Sequence, residues 1–163
     1  MTRNVLFLCT GNSARSIMAE ALLGVLGEGR FNAFSAGSQP SGQVQPFAAE
    51  LATALGYPAA RLRSKGWDEY AMADAPRMDF IITVCGNAAG EACPIWPGRP
   101  ATAHWGVADP AAITGSEDVR RAAYRDAFAT LRRRVELLLA LPEDKLDGLA
   151  ATSALRDIAE ATS

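Results

Sequence analysis

A cysteine, an arginine and a serine near the start of the chain have the types and spacing of an anion-binding catalytic loop. Cys9 ends a short apolar run, and Arg15 and Ser16 follow it where a helical pattern begins. A thiolate needs a positive field, because a free cysteine is mostly protonated at neutral pH. Loop amides, a helix N-terminus and the planar donors of arginine supply that field and match a tetrahedral oxyanion. We therefore expect Cys9 to be a nucleophile with Ser16 bonded to its sulfur. An isolated cysteine here would instead be a buried structural residue.

Three further residues are candidates for chemistry. Cys85 follows a second apolar run, Cys93 comes soon after it, and Asp109 precedes a proline. Cysteines in a cytoplasmic protein serve thiol chemistry or metal binding more often than structural disulfides. A zinc site with Cys9 and His104 is one alternative, although the spacing is not that of a tight zinc knuckle. Asp109 by itself would be a turn residue or a helix cap.

Composition indicates one soluble domain. The chain has 163 residues, of which 49% are hydrophobic and 21% charged, enough for a full core. The formal net charge of -2 argues against binding nucleic acid through bulk charge. No apolar run approaches the roughly 20 residues of a membrane span, and residues 5–8 are too few for a signal-peptide core. We therefore expect a cytoplasmic protein without a nucleic-acid or membrane partner.

Apolar runs alternate with helical patterns along the chain, as in an α/β fold with a parallel sheet. The predicted strands are residues 4–8, 30–36, 79–84 and 101–105. The predicted helices are 16–26, in which Ser16 can serve as the N-cap, 46–55 and 116–141, with a short helix or turn at 64–72. We expect a domain at 1–141 and a tail at 142–163, which is either a docked helix or a partly disordered arm. Since ligands bind at the carboxyl ends of parallel strands, Cys9 and Cys85 should share one rim of the sheet.

The loop at 9–16 resembles that of low-molecular-weight protein tyrosine phosphatases, in which a cysteine, five residues and an arginine precede Ser or Thr. It resembles still more closely the arsenate reductases built on the same fold. The resemblance covers roughly residues 4–141 and rests on 9–16, Ser35-Ala36-Gly37, Cys85 through Cys93-Pro94, and 104–111. It implies a single α/β domain with a four-stranded parallel sheet flanked by helices. It also implies a set of anion-binding residues: Thr10, Gly11, Asn12, Ser13, Ala14, Arg15 and Ser16. Among them, Gly11 permits unusual backbone angles.

The later segments favour the reductase, because a phosphatase needs neither Cys85 nor Cys93. In the mechanism that the resemblance implies, Cys9 attacks arsenate and Asp109 protonates the leaving oxygen. Cys85 then attacks the Cys9 sulfur, which releases arsenite, and Cys93 takes over the disulfide. Thioredoxin is the expected reductant, with glutaredoxin or another thiol system as the alternative. Alanine follows Pro110 where phosphatases carry aromatic residues that grip phosphotyrosine, which also favours a small inorganic substrate.

Asn12, Glu20 and Ser35 match positions that support the loop and help to bind potassium in some members of the family. Lys65 stands close to the position of a further ligand. We expect its ammonium to replace the cation by pairing with Glu20 and Asn12. No metal and no other cofactor is expected. The alternative functions are a tyrosine phosphatase and a non-catalytic module that binds an oxyanion or senses redox state.

Three expectations concern the surroundings of the site. A disulfide requires Cα atoms about 5.5 Å apart, so the relay predicts that the loop at 86–93 remodels and is mobile. His104 is expected to pack or to anchor a loop rather than to act as a base. The arginines at 132–134 are expected to lie partly on the solvated face of the last long helix.

Overall fold

The computed structural model describes residues 2–84 and 100–162. Its strands are β1 (Arg3–Cys9), β2 (Phe31–Gly37), β3 (Phe80–Thr83) and β4 (Ala101–His104). Its α-helices are α1 (Arg15–Leu26), α2 (Pro46–Leu55), α3 (Asp68–Ala71), α4 (Glu117–Leu139) and α5 (Gly148–Ala161). Cys85, Cys93 and the predicted mobile loop at 86–93 lie outside the described residues.

The strands form one parallel sheet in the order β2-β1-β3-β4, which confirms the predicted α/β fold. Because side chains alternate between the two faces of a strand, β1 serves two separate cores. Val5 and Phe7 pack in the larger cluster, to which α1, α4 and α5 contribute. Leu6 and Leu8 pack in a second cluster on the opposite face, together with Tyr70. Burial on both faces explains why β1 is an unbroken apolar run.

The carboxyl ends of β1 and β3 lie side by side. Leu8 is opposite Thr83, and the backbone N–H of Val84 donates to the Leu8 carbonyl at 2.8 Å. Cys9 is the last residue of β1, so it leaves the sheet at this rim. The rim is therefore the part of the fold that positions the candidate nucleophile.

The C-terminal helices close the larger core. Ser116 caps α4 by accepting a hydrogen bond from the backbone N–H of Val119. The helix ends at Leu139, two residues earlier than predicted. The residue before Pro142 disfavours the helical conformation. Of the two alternatives for the tail, the structure has the helix. α5 packs against β4 and α4, with Leu155 in the core. Within the two described stretches, no helix combines the length and apolarity needed to cross a membrane.

Candidate active site

Cys9 lies buried where β1 leaves the sheet, with 3% of its surface exposed. Its sulfur lies 2.9 Å from Ser16 Oγ and accepts a hydrogen bond of 3.2 Å from the backbone N–H of Asn12. Hydrogen bonds to the sulfur favour the thiolate, because they stabilise the charged form more than the neutral one. Residues 9–16, which we term the anion loop, thus fold around the sulfur.

Asn12 sets the direction of the hydrogen bonds in the anion loop. Its Nδ2 donates to Ser16 Oγ at 2.8 Å, and its Oδ1 accepts from the backbone N–H of Lys65 at 2.9 Å. A hydroxyl carries one proton and accepts through its lone pairs. Ser16 Oγ accepts from the amide and keeps its own proton, which it can donate to the Cys9 sulfur when that sulfur is a thiolate. The chain of bonds can therefore end in a donor to the nucleophile.

The anion loop differs from the sequence prediction at two residues. The left-handed backbone belongs to Asn12, with a φ of 46°, and not to Gly11, since asparagine also tolerates that region. Ser16 does not cap α1, which begins at Arg15 with Ala14 in the N-cap position and no capping side chain. The Ser16 hydroxyl contacts the sulfur of Cys9 instead. A side chain that could have capped the helix therefore serves the site.

Neighbouring segments hold the anion loop from outside. The backbone N–H groups of Gln39 and Gln45 donate to the carbonyls of Thr10 and Ser13 at 2.9 and 2.8 Å. Gly37, at the end of β2, comes so close that a Cβ there would lie 2.5 Å from the Thr10 carbonyl oxygen. A side chain at this position would push the loop away, so the Ser-Ala-Gly segment has to end in glycine.

Arg15 joins the anion loop to the segment that follows β4. Its Nη1 donates to the Val107 carbonyl at 2.9 Å, and its Nη2 lies 3.6 Å from Asp109 Oδ2. The Arg15 side chain is 16% exposed and that of Asp109 41% exposed. The structure therefore brings two predicted site residues together, at a position reached from solvent.

Asp109 also has the capping role that its sequence context suggests. Its Oδ1 accepts a hydrogen bond of 3.0 Å from the backbone N–H of Ala111 and caps the 3-10 helix Pro110–Ala112. Its Oδ2 faces Arg15. One carboxyl oxygen thus fixes the turn while the other is directed to the site.

Buried polar groups support the anion loop from behind. Lys65 Nζ lies 3.6 Å from Glu20 Oε1 and donates to Ser35 Oγ at 3.3 Å, and Tyr57 donates its hydroxyl to the other Glu20 oxygen. Burial lowers the pKa of Lys65, although the charge of Glu20 opposes this. Burial, and then the charge of Glu20, raises the pKa of Tyr57. Asn12 contacts Lys65 through the backbone N–H rather than the expected ammonium. We term these four side chains the Glu20 cluster: Glu20, Ser35, Tyr57 and Lys65.

Comparison with known proteins places this arrangement in a family. The model of the low molecular weight phosphotyrosine protein phosphatase family matches residues 4–147. The chain belongs to this family. The match includes the anion loop, the Glu20 cluster and Asp109, and it ends before α5.

Within the family, the chain is similar to arsenate reductases. The arsenate reductase of Halalkalibacterium halodurans is 33% identical over 133 residues, which cover 81% of this chain and 91% of that protein. The solved arsenate reductase of Archaeoglobus fulgidus has a TM-score of 0.63 and 28% identity, covering 84% of this chain and 99% of its own. A thioredoxin-dependent arsenate reductase of Corynebacterium glutamicum, with a TM-score of 0.55, 22% identity and coverage of 84% and 63%, shows the shared fold alone.

Aromatic rings lie beside Pro110, although alanine follows it in the sequence. The rings of Phe47 on α2 and Tyr124 on α4 pack edge to face with centroids 5.5 Å apart. With Pro110 they line a cavity of about 130 Å³. Burial raises the pKa of Tyr124, and the Asp109 carboxylate raises it further. The aromatic residues that the sequence lacks after Pro110 are thus supplied by α2 and α4, which are distant from Pro110 along the chain.

Two predicted site residues lie outside the described chain, and His104 makes a structural contact. Cys85 and Cys93 lie outside it. His104 lies at the end of β4, where its Nδ1 is 2.7 Å from Thr83 Oγ1, a contact that anchors β4 to β3. In residues 2–84 and 100–162, no three or more His, Cys, Asp or Glu side chains lie together as a metal site would require.

Proposed function

We propose that this chain reduces arsenate to arsenite through a relay of three cysteines. The observation that carries the proposal is the Cys9 sulfur, held by Ser16 and Asn12 next to an arginine that reaches Asp109. A nucleophile, an anion-binding cation and an acid at one site suit displacement at a tetrahedral oxyanion. The similarity to arsenate reductases and two further cysteines in the sequence support arsenate as that oxyanion.

The first step is attack on arsenic by the Cys9 thiolate. An As–S bond forms while an As–O bond breaks, and the departing oxygen takes a proton from Asp109 and leaves as water. Arg15 lies 3.6 Å from Asp109. The cation that binds the anion and the acid that serves the departing oxygen are therefore side by side.

The second step reduces the arsenic. Cys85 attacks the Cys9 sulfur, an S–S bond forms, and the S–As bond breaks with its electron pair remaining on arsenic. As(V) becomes As(III) and leaves as arsenite, while two thiols become one disulfide. The step thus balances without a metal or an organic cofactor.

The third step moves the disulfide away from the anion loop. Cys93 attacks Cys85, which frees the Cys9 thiolate and leaves a Cys85–Cys93 disulfide. A dithiol protein of the thioredoxin type, or else of the glutaredoxin type, then reduces this pair. Because such reductants keep thiols reduced in the cytoplasm, we propose that location for the protein.

The Glu20 cluster supports the loop without a bound cation. Its carboxylate is buried, and a buried charge requires a partner of opposite charge. The Lys65 ammonium lies 3.6 Å away, in the role that potassium has in some relatives. Activity is therefore expected not to depend on potassium.

One observation favours phosphatase activity as a second candidate. The cavity between Phe47, Tyr124 and Pro110 is about 130 Å³ and borders the residue next to Asp109. Aromatic walls of this kind stack on rings, and the same attack by Cys9 on phosphorus would cleave an aryl phosphate. Cys85 and Cys93 have no part in that reaction, which separates the two candidates.

The test is a steady-state assay with arsenate, in which reducing equivalents come separately from thioredoxin, glutaredoxin and mycothiol systems. Wild-type chain is expected to consume arsenate with at least one of them, and Cys85→Ser to stop turnover. Hydrolysis of p-nitrophenyl phosphate is measured on the same samples. A phosphatase would hydrolyse the ester efficiently and keep that activity in Cys85→Ser and Cys93→Ser. Turnover of neither compound would indicate a binding module and contradict the proposal.

A further inference from the structure

Arg134 is a buried cation whose hydrogen bonds run to backbone and hydroxyl groups. It lies on α4 with 4% of its surface exposed. Its Nη1 donates to the carbonyls of Trp105 and Gly106 at 2.8 and 3.1 Å, and its Nε donates to Thr162 Oγ1 at 2.8 Å. Burial lowers the pKa of Arg134, but a guanidinium stays charged at neutral pH. Burying a charge is unfavourable, so this residue requires a reason beyond packing.

The carbonyls that Arg134 binds belong to residues 105–109, which we term the acid segment. Trp105 begins it, is fully buried and donates its indole Nε1–H to the Leu155 carbonyl of α5 at 2.9 Å. The backbone N–H of Trp105 donates to the Thr83 carbonyl at 2.6 Å. The start of the acid segment is therefore held by α4, by α5 and by the sheet.

The other side of the acid segment faces the anion loop. Arg15 donates to the Val107 carbonyl at 2.9 Å and lies 3.6 Å from Asp109. Two arginines thus bind three consecutive carbonyls, those of residues 105, 106 and 107, from two elements. Asp109 comes two residues later, within reach of the charge on Arg15, so a shift of these carbonyls would move the acid relative to the loop.

Helix α5 takes part in this arrangement although the family match ends before it. The match covers residues 4–147, and α5 is Gly148–Ala161. Leu155 accepts the Trp105 indole N–H. Thr162, which follows α5, accepts from Arg134 and donates back to the Ile158 carbonyl at 2.8 Å. The support of the acid segment therefore comes partly from residues beyond the range that the family model matches.

We propose that Arg134, together with α5, positions Asp109 for proton transfer to the leaving group. Arg134 is a positioning residue, because it acts through the backbone of the acid segment and touches neither Cys9 nor the reacting anion. The inference rests on the proposed role of Asp109 as the acid. It does not depend on whether the anion is arsenate or a phosphate ester.

The experiment compares two aryl phosphates that differ in how much their leaving groups need a proton. p-Nitrophenol leaves readily as an anion, whereas phenol needs protonation, so only phenyl phosphate depends strongly on a placed acid. Arg134→Met is measured beside Arg133→Met, the same change at the exposed neighbouring position. Thr162→Val, which removes one acceptor of Arg134, and Asp109→Asn complete the set, and thermal unfolding is followed for every variant.

Arg134→Met is expected to lower kcat/KM for phenyl phosphate about tenfold more than for p-nitrophenyl phosphate, in the range of general acid effects. Thr162→Val should show a smaller shift in the same ratio, and Arg133→Met none. In the Asp109→Asn background, Arg134→Met should add nothing to the ratio. If Arg134→Met does not fold, Thr162→Val decides the question by the same ratio.

Equal losses on both esters would overturn the positioning role and leave Arg134 with a structural one. If wild-type chain reduces arsenate but hydrolyses neither ester, the same variants are compared in arsenate reduction. Arg134→Met is then expected to lower the rate but to add nothing in the Asp109→Asn background, and a further loss in that background would overturn the positioning role. Arsenate reduction by the same wild-type sample is a separate readout. Its absence alongside the expected ester ratios would overturn the proposed reductase and leave the positioning of Asp109 supported.

Discussion

The anion loop and the acid segment meet at Arg15, but they are held in different ways. In the anion loop, buried side chains bind one another, as in the bonds that link Asn12, Ser16 and Cys9. In the acid segment, backbone carbonyls are held by arginines from other elements, and the Asp109 side chain stays 41% exposed. The loop thus holds a sulfur in place, while the acid segment leaves Asp109 open to solvent, as its proposed role as an acid requires.

Removing the nucleophile of the anion loop is expected to have the largest effect on activity. Cys9→Ser is expected to lower arsenate reduction at least about 10⁴-fold, because no sulfur remains to bond arsenic or to enter the disulfide. Circular dichroism should match wild type, since the residue changes by one atom. Substantial arsenate turnover in this variant would show that the chemistry lies outside the anion loop.

Asp109→Asn tests the acid segment by the same measure. Loss of the acid is expected to lower the first step about 10²- to 10³-fold, within the range of general acid catalysis, and so less than the loss of Cys9. The asparagine can still cap the 3-10 helix through its oxygen, which keeps the turn. Asp126→Asn on the exposed side of α4 is the control and should behave as wild type. An unchanged rate in Asp109→Asn would show that Asp109 does not act as the acid.

Gly37→Ala tests the close packing behind the anion loop. The new Cβ would lie 2.5 Å from the Thr10 carbonyl oxygen, so we expect a loss of about 1–3 kcal/mol in unfolding free energy and roughly tenfold lower activity as the loop shifts. Gly66→Ala is a matched control from the paired position, where a Cβ would meet its nearest atom at 3.7 Å. Urea unfolding should separate the two variants, and equal stabilities would contradict the packing argument.

Ser16→Ala makes a smaller change in the same loop. It removes the hydroxyl that lies 2.9 Å from the Cys9 sulfur, which is the donor when that sulfur is a thiolate, and leaves the bond from the Asn12 N–H. Less thiolate should be present at neutral pH, so alkylation of Cys9 by iodoacetamide at pH 7 should slow several-fold in the Cys85→Ser Cys93→Ser background. Faster alkylation would mean that Ser16 shields the sulfur instead of activating it.

The smallest expected effect belongs to potassium. Wild-type rates in sodium and potassium buffers of equal ionic strength should agree, because the Lys65 ammonium already lies beside Glu20. Lys65→Met leaves that carboxylate buried without a cation, which is strongly destabilising. Potassium should then raise the unfolding temperature of the variant but not that of wild type. A large potassium stimulation of wild-type activity would contradict the assigned role of Lys65.

The two regions also differ in how far the sequence predicts them. The spacing of Cys9, Arg15 and Ser16 identifies the anion loop, because these residues lie close together along the chain. The backbone conformation and the hydrogen-bond partners within the loop depend on which of several polar groups each side chain contacts, and the sequence pattern does not decide this. The left-handed backbone conformation occurs at Asn12, whose side-chain amide forms hydrogen bonds with Ser16 and Lys65. The Ser16 hydroxyl contacts the sulfur and does not cap α1.

The acid segment depends on residues far along the chain, which spacing alone does not connect. Asp109 is found from its motif, but Phe47 and Tyr124 reach it only through the packing of α2 and α4. Arg134 belongs to a basic run that suggests a solvated face, yet it is buried. The spacing does contain one indication that Arg134 is buried. Arg134 shares a helical face with Leu131 and Leu138, which lie three residues before it and four after it.

The most direct test of the account is a single turnover with arsenate and no reductant, followed by mass spectrometry of the cysteines. We expect about one arsenite for each protein molecule and a Cys85–Cys93 disulfide, with Cys93→Ser stalled as a Cys9–Cys85 disulfide. The protein is quenched with acid and alkylated, so the disulfides are trapped before they exchange. Arsenite release without either disulfide, or no release from a folded wild-type chain, would contradict the three-cysteine relay.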